Sequence, residues 1–432
     1  MITRSRFIVA LGLAILLVTS AGCTDSLNAG PLSYVDNDAL THELKGKANL
    51  AGKPALQAKV RAALARIFGE SPQRIRVPEN SGFPSGGLSL ANFRQVGEGE
   101  SARIEPIYHQ LPDGRPDPNH RQTGGYGLYR RNCLHCHGVS GAGDGPTAAF
   151  LFPPPRDFRK GIYKFTSTPS GARPHRDDLT RTIRDGLSGT SMPAFDALMT
   201  PSEIQQAVDY VIFLSMRGET ELALIEEGSI SDENDTEALG EEILKELTAG
   251  VFDRWKSAQT QVMNPTIPRT KSDHESVIRG RDLFLGRTKE KLECAGCHGA
   301  LAKGDGPSFV PVDVFNMVVF GGDPSTRPER VDALDETLKT LWNQKPDDWG
   351  NPLRPANLVK GVFKGGRRPI DIFWRIAKGI NGAQMPAHYP TLNEAQIWDL
   401  VNFVLALPYD PDLLASPPPM PRPKLAEAGA SR

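Results

Sequence analysis

Apolar side chains recur at helical spacing in several separated stretches of the chain. The clearest stretches are PALQAKVRAALARIFG at 54–69, PSEIQQAVDYVIFLS at 201–215 and TLNEAQIWDLVNFVLAL at 391–407. A period of about 3.6 residues is typical of helices that bury one face, and the Pro, Ser and Glu that begin the second stretch are helix-start signals. Shorter stretches, GYGLYRRNC and RGRDLFLG, predict further helices. The pattern therefore predicts a mainly α fold.

A different pattern stands at the beginning of the chain. Two arginines precede FIVALGLAILLV, an apolar run of 12 residues that is short for a bilayer span and has the form of a signal-peptide core. The stretch TSAGC follows and ends at Cys23, which resembles the lipobox of bacterial lipoproteins, although Ser20 stands where that box usually has Leu. We expect residues 1–22 to be a signal peptide and Cys23 to carry a lipid anchor. Ordinary cleavage nearby is the alternative, and either reading predicts export to the periplasmic side of a bacterial membrane.

Length, composition and charge set broader limits. A chain of 432 residues is long for one core, so two or three domains are expected. Its 42 glycines and 36 prolines indicate loop-rich segments and linkers. The formal net charge of −1 gives no reason to expect nucleic acid as a partner.

Four of the five cysteines stand in two copies of one motif. Residues 132–146 read NCLHCHGVSGAGDGP and residues 294–307 read CAGCHGALAKGDGP. CxxC pairs of an exported chain are often disulfides, and a zinc ribbon would need its two pairs only about 15–20 residues apart. Neither alternative explains why His137 and His298 directly follow the second cysteine of each pair.

CxxCH is the attachment signature of c-type haem. Its two thiols bond to the haem vinyl groups, and the histidine becomes an axial ligand of the iron. The two copies therefore predict two covalently bound haem c groups, held by Cys133 and Cys136, with His137 on the iron, and by Cys294 and Cys297, with His298 on the iron.

A second pair of matching segments supplies candidates for the other axial ligand. TIRDGLSGTSMPAF aligns without gaps on RIAKGINGAQMPAH, and each methionine stands 18 residues before an aromatic residue of a closing helix. A buried methionine usually fills a core, but these two are in register with the haem motifs. A thioether opposite histidine is the usual pair in electron-transfer cytochromes c. We expect Met192 and Met385 to be axial ligands, with His388 as an alternative to Met385.

The first and last helices of each copy are expected to cross around the haem. Gly125 in GYGLYRRNC and Gly280 in RGRDLFLG stand at matching places and suit close helix packing. The second copy has six extra residues before Cys294, so its first helix must end early or bulge. In each copy the two helices and the methionine loop would enclose the haem.

Each half resembles a class I cytochrome c domain of the bacterial type. The shared features are CxxCHG, GDGP (within GxGDGP in the first copy), a first helix with G-x-x-L-Y/F, an MP loop and a closing aromatic helix. The resemblance covers about half of the chain and implies electron transfer through covalently bound haem. It also implies that a proline carbonyl orients each haem-ligating histidine, for which Pro146 and Pro307 are the candidates.

The predicted organisation has six parts. They are a signal peptide (1–22), a partly helical and irregular N-terminal extension (23–123), cytochrome c domain 1 (124–218), an acidic linker and helix (219–276), cytochrome c domain 2 (277–409, with an insertion at 308–356) and a Pro-rich disordered tail (410–432). The extension could dock on a membrane complex or pack against domain 1. The insertion could cover a haem edge, dock a partner or be a surface loop. The acidic run is interpreted as a solvated linker, with a docking site for a basic cytochrome as the alternative.

Two classes of function remain open at this point. An electron carrier would have two His/Met haems with no open iron site, would not be an enzyme, and would exchange electrons with a quinol-oxidising complex, a terminal oxidase or a soluble cytochrome. A di-haem enzyme of the cytochrome c peroxidase type would need an exchangeable site at one iron. Methionines in matching loops favour the carrier.

Overall fold

The computed structural model describes residues 32–91, 93–96, 103–106, 124–344 and 346–415. The predicted signal peptide, Cys23 and the tail from residue 416 lie outside these ranges. In the described parts of the chain the fold is mainly α, as predicted, with one two-stranded antiparallel sheet. No helix among these residues is both long and apolar enough to cross a bilayer.

The described helices and strands fall into three groups along the chain. The N-terminal group is α1 (Asp38–Thr41), α2 (Pro54–Phe68), β1 (Phe93–Val96) and β2 (Arg103–Pro106). The second is α3 (Gly124–Asn132), α4 (Leu134–His137), α5 (Arg176–Asp185), α6 (Pro201–Ile230) and α7 (Glu241–Ala258). The third is α8 (His274–Phe284), α9 (Cys294–His298), α10 (Val312–Phe320), α11 (Arg327–Asp332), α12 (Glu336–Gln344), α13 (Pro369–Lys378) and α14 (Glu394–Ala406).

Domain 1 is built on the crossing of α3 and α6, which the sequence predicted. A Cβ on Gly125 would lie 2.3 Å from the Gln206 carbonyl oxygen and 2.7 Å from the Tyr210 Cβ, so only glycine allows this approach. At the start of α6 the Thr200 hydroxyl accepts from the Glu203 N–H, and the Glu203 carboxylate accepts from the Thr200 N–H. This capping box fixes where the closing helix begins.

Domain 2 repeats the arrangement with α8 and α14. A Cβ on Gly280 would lie 2.1 Å from the Asp399 carbonyl oxygen and 2.8 Å from the Phe403 Cβ. The first helix ends at Phe284, well before Cys294, which confirms that the six extra residues are excluded from it. The two copies therefore share one helix crossing although their connections differ.

The segment interpreted as a solvated acidic linker is instead folded onto domain 1. Helix α6 continues without a break to Ile230, and α7 packs against it. Glu219 and Glu221 are buried rather than solvated. The Glu219 carboxylate accepts from Arg173 Nε at 2.8 Å and from Trp255 Nε1 at 2.7 Å. The interpretation is wrong for these acids because buried cationic and indole donors replace the water it assumed.

Helix α2 of the N-terminal extension packs on α6 and α7 with the face predicted from its sequence. Leu56, Val60 and Leu64 are buried together with Phe68. The Phe68 ring lies 5.7 Å from that of Phe213 in α6, edge to face. The extension was expected either to dock on a membrane complex or to pack against domain 1. Its described residues support packing against domain 1.

The extension also makes hydrogen bonds to the first helix of domain 1. The Ser89 carbonyl accepts the Gly125 N–H, and the Leu90 carbonyl accepts the Tyr126 N–H, each at 2.8 Å. These bonds satisfy backbone donors that the first turn of a helix leaves unpaired. Residues of the extension thus set the position of α3.

The C-terminal boundary of domain 2 lies beyond the predicted residue 409. Residues 411–414 form a 3₁₀ turn that contacts α8, and Leu413 and Leu414 are buried. The start of the predicted disordered tail is therefore part of the domain 2 core.

The insertion of domain 2 lies against domain 1. The Phe152 ring of domain 1 is 5.5 Å from Phe315 and 5.7 Å from Phe320, both in α10. Lys164 of domain 1 forms an ion pair with the insertion's Asp347 at 3.0 Å. The insertion is thus an element of the interface between the two domains and not a free surface loop.

Candidate haem sites

Both CxxCH motifs form a short helix with the same local hydrogen bonds. In domain 1 the Gly143 N–H donates to the His137 carbonyl at 2.9 Å, and in domain 2 the Gly304 N–H donates to the His298 carbonyl at 2.8 Å. These bonds fold the glycine-rich segment back over the motif helix. The sequence repeat is therefore also a structural repeat around each histidine.

A backbone carbonyl orients each of these histidines. His137 Nδ1 lies 3.0 Å from the Arg156 carbonyl oxygen, and His298 Nδ1 lies 3.1 Å from that of Ala356. Because a carbonyl can only accept, each Nδ1 carries the proton, and the Nε2 lone pair is left free for a metal. This arrangement is suited to an axial iron ligand.

The predicted role of Pro146 and Pro307 in orienting the histidines is wrong. Gly145, the residue before Pro146, donates its N–H to the Cys136 carbonyl at 3.1 Å. Gly306, the residue before Pro307, donates its N–H to the Cys297 carbonyl at 3.2 Å. These bonds hold each GDGP turn against the motif helix. The carbonyls that meet the two Nδ1 atoms belong to later segments of each domain.

The motif histidines are held in the neutral form. Burial lowers the pKa of His137 to about 4, and burial also lowers the pKa of His298. The His137 ring stacks on Phe158 with centroids 4.5 Å apart. Neutral imidazole is the form that binds metals, so no proton has to leave Nε2 before iron can bind at neutral pH.

No disulfide joins any of the four motif cysteines. Burial raises the pKa of Cys133 to about 12 and that of Cys294 to about 11. Within the described ranges, no group of three or more His, Cys, Asp or Glu side chains could hold a metal ion. The disulfide and zinc-ribbon alternatives therefore have no support in the structure.

The two methionine loops are closed by equivalent hydrogen bonds. The Leu187 N–H donates to the Met192 carbonyl, and the Ile380 N–H donates to the Met385 carbonyl, both at 3.1 Å. Each loop follows the helix before the closing one, α5 or α13. The gapless alignment of the two methionine segments thus corresponds to one repeated loop.

One continuous cavity connects the residues of both predicted sites. Its volume is about 1530 Å³, larger than the about 300–1,000 Å³ of a typical single-ligand pocket. Its lining includes Cys133, Cys136, His137, Met192, Cys294, Cys297, His298 and Met385. Paired thiols, a histidine with a free Nε2 and a methionine on one cavity are a donor set that fits covalently bound haem. The axial roles of the two methionines stay a prediction.

Several residues of the cavity wall were not predicted from the sequence. Arg156 and Ala356 were missed because they lie 19 and 58 residues after their histidines, so no common spacing marks them. His388, the predicted alternative to Met385, does line the cavity, as does Trp349 of the insertion. The amphipathic stretch RVDALDETLKTLWN and the two tryptophans of the insertion, Trp342 and Trp349, were signals for a role, but their contacts could not be placed without the fold.

Two protein-family descriptions match the chain, one on each domain. Cytochrome C oxidase, cbb3-type, subunit III matches residues 120–211, and Cytochrome c matches residues 277–408. With both halves matched in this way, the protein belongs to the c-type cytochromes. It carries two cytochrome c domains in tandem, which implies covalently bound haem c and haem-based electron transfer.

Two further comparisons add little to this assignment. No curated protein matches the chain. Among solved structures, the chain is similar to a chain of the reducing HAO-like protein complex of Kuenenia stuttgartiensis, with 26% identity over 66% of this chain and 94% of that chain. The TM-score of 0.42 is too low for that likeness to bear on fold or function.

Proposed function

We propose that this cytochrome is a di-haem electron carrier in which both irons have a histidine and a methionine ligand. The observation that carries the proposal is the shared cavity, which brings both CxxCH motifs and both methionine loops together. Electrons would be accepted at one site and delivered from the other. The protein would not itself transform a substrate.

Haem, when bound, supplies the one-electron exchange between ferric and ferrous iron. The protein's contribution is to hold, orient and shield it. The Cys133–Cys136 and Cys294–Cys297 pairs would attach the two groups, and the carbonyls of Arg156 and Ala356 fix the rings of the ligating histidines. A methionine ligand and a largely apolar wall would both favour the ferrous state.

The contacts between the domains support transfer from one site to the other. Asn381 of domain 2 accepts the Gly171 N–H of domain 1 at 3.3 Å. The Ser167 carbonyl accepts the N–H of Met263 at 2.9 Å, and Met263, in the segment before domain 2, packs against the domain 2 core. Thr166 and Ser167 are buried at this contact. Such packing would hold the two cofactors at a fixed separation, as repeated one-electron transfer requires.

We further propose that the protein is exported and anchored by lipid at Cys23 on the periplasmic side of a bacterial membrane, within or next to a respiratory complex. Its partners would be a quinol-oxidising complex, a terminal oxidase or a soluble cytochrome. The signal-like N-terminus and the stretch before Cys23 support this placement. Cell fractionation of Cys23→Ser should move the protein from the membrane to the soluble fraction. Wild-type protein found in the soluble fraction would refute the anchor.

Carbon monoxide addition to the reduced protein distinguishes the carrier from the peroxidase-type enzyme. Carbon monoxide binds ferrous haem only where a coordination position is vacant or easily vacated. We expect the visible spectrum of the reduced wild-type protein to stay unchanged. A carbon monoxide adduct at one haem would instead support an enzyme with an exchangeable iron site, and peroxide turnover would then be the next assay.

A further inference from the structure

Trp349 of the insertion stands where the two domains meet. Its ring lies under the guanidinium of Arg156 from domain 1, with the Arg156 Cζ 3.6 Å from the ring centroid. On the domain 2 side the same ring touches Gly382, where an added Cβ would lie 2.5 Å from Trp349 Cζ3. Gly382 belongs to the loop that carries Met385. The indole therefore connects the surroundings of both predicted haems.

The indole N–H of Trp349 is buried and has no hydrogen-bond partner among the described residues. Leaving a buried donor unpaired costs about 1–3 kcal/mol, and native structures rarely do so without a reason. Trp349 lines the cavity that the cofactors would occupy. The missing acceptor is thus expected on a group that enters the cavity.

The guanidinium of Arg156 presents a second set of donors to this cavity. Within the described part of the chain its side chain makes no hydrogen bond or close ion pair, and the carboxylates of Asp347, Asp157 and Asp348 act on it only at longer range. Asp157 accepts from Arg159 through both oxygens at 3.0 Å, and Asp347 accepts from Lys164 at 3.0 Å. Arg156 is therefore a cation in the cavity wall that has no carboxylate in direct contact.

We propose that Trp349 Nε1 and the Arg156 guanidinium together bind a carboxylate of the haem held by Cys133 and Cys136. This inference rests on the proposed di-haem function. Haem carries carboxylate groups, and an arginine fork beside a neutral N–H donor is chemically matched to one. The assignment to the first haem follows because the carbonyl of the same Arg156 orients His137. The insertion of domain 2 thereby completes the cofactor site of domain 1.

The proposed contact has a consequence for the redox balance of the two haems. A cation and an N–H donor on the carboxylate offset its negative charge and so raise the potential of the first haem. Weakening the contact would leave the carboxylate charge less compensated and stabilise ferric iron. Trp349 is thus a positioning residue. Its loss should lower the potential of the first haem, so that a single electron occupies the second haem more of the time.

Redox titration of the full-length haem-loaded Trp349→Phe variant tests this proposal. Phenylalanine keeps the ring under Arg156 but removes the N–H. We expect both haems to stay bound and the potential of one haem to fall. The equilibrium that shares one electron between the haems should shift about tenfold, equivalent to about 59 mV for a one-electron couple. The haem whose potential falls in Trp349→Phe should be the one whose potential also falls in Met192→Ala.

Matched variants make the outcome specific. Trp342→Phe changes the other tryptophan of the insertion, which packs on Phe315 and does not line the cavity, so both potentials should stay unchanged. Arg156→Gln should lower the same potential as Trp349→Phe, and Arg156→Lys should restore part of it. The Arg156 variants also decide the question if Trp349→Phe fails to fold.

Three results would overturn the inference. In the first, Trp349→Phe and Arg156→Gln bind two haems per chain and neither potential changes. In the second, only the potential of the haem that responds to Met385→Ala changes, and in the third, Trp342→Phe changes the potential as much as Trp349→Phe does. Wild-type protein without covalent haem would instead refute the proposed function itself, so the two failures are distinguishable.

Discussion

Replacing Met385 with alanine lowers the midpoint potential of one haem by on the order of 100 mV, a fraction of the about 0.8 V over which axial ligands tune haem. The variant also lets that haem bind carbon monoxide in the reduced state. The physical reason is the loss of a thioether that favours ferrous iron and closes its sixth position. Met192→Ala should have the same effect on the other haem. Potentiometric titration followed by visible spectroscopy measures both quantities.

Met317→Ala is the matched control for these two variants. Met317 lies in α10 of the insertion, is about half exposed and has no counterpart in the other domain. Its replacement should leave both potentials and the carbon monoxide response unchanged. If Met192→Ala and Met385→Ala behaved like Met317→Ala, both methionines would be core residues and the ligand assignment would be wrong.

Gly280→Ala destabilises domain 2 by about 3 kcal/mol, at the upper end of the usual penalty for overpacking. The new methyl group would lie 2.1 Å from the Asp399 carbonyl oxygen and 2.6 Å from its carbon, so α8 and α14 must separate. Backbone atoms cannot move aside as a flexible side chain can. Urea unfolding followed by circular dichroism, with haem absorbance recorded in parallel, measures the loss.

Gly250→Ala makes the same chemical change but should raise the free energy of unfolding instead of lowering it. Gly250 lies inside α7, where the nearest atom to an added Cβ is Arg254 Nη1 at 3.8 Å. Alanine there should stabilise the protein by about 0.5–1 kcal/mol because it restricts the unfolded chain and favours the helix. Equal destabilisation by the two variants would show that the close contact at Gly280 is not the cause of the lost stability.

The repeated parts of the molecule were accessible from the sequence because local chemistry determines them. The CxxCH turn, the methionine loop and the two crossing helices each depend on residues close in the chain or on a glycine at the contact. Gly125 and Gly280 illustrate this, since each allows a backbone approach that no other residue would tolerate. The amphipathic face of α2 was accessible for the same reason, as its apolar residues repeat at helical spacing.

The parts that depend on contacts between distant residues could not be predicted. Glu219 and Glu221 have the composition of a solvated linker, and only the fold brings Arg173 and Trp255 to Glu219. The same is true of the carbonyl that orients His137. The family pattern pointed to the carbonyl of the proline in the GDGP turn. That turn is held against the motif helix instead, and the carbonyl that meets the His137 ring belongs to Arg156 in a later segment.

The central claim is that the chain carries two covalently bound haems, one on each CxxCH motif. The most direct measurement is the intact mass of the purified, exported protein under denaturing conditions, combined with a haem-to-protein ratio from the pyridine haemochrome spectrum. The account predicts the chain mass plus two haem groups, and plus only one in the Cys133→Ala, Cys136→Ala double variant. A wild-type mass with one haem or none, in cells that mature other c-type cytochromes, would contradict it.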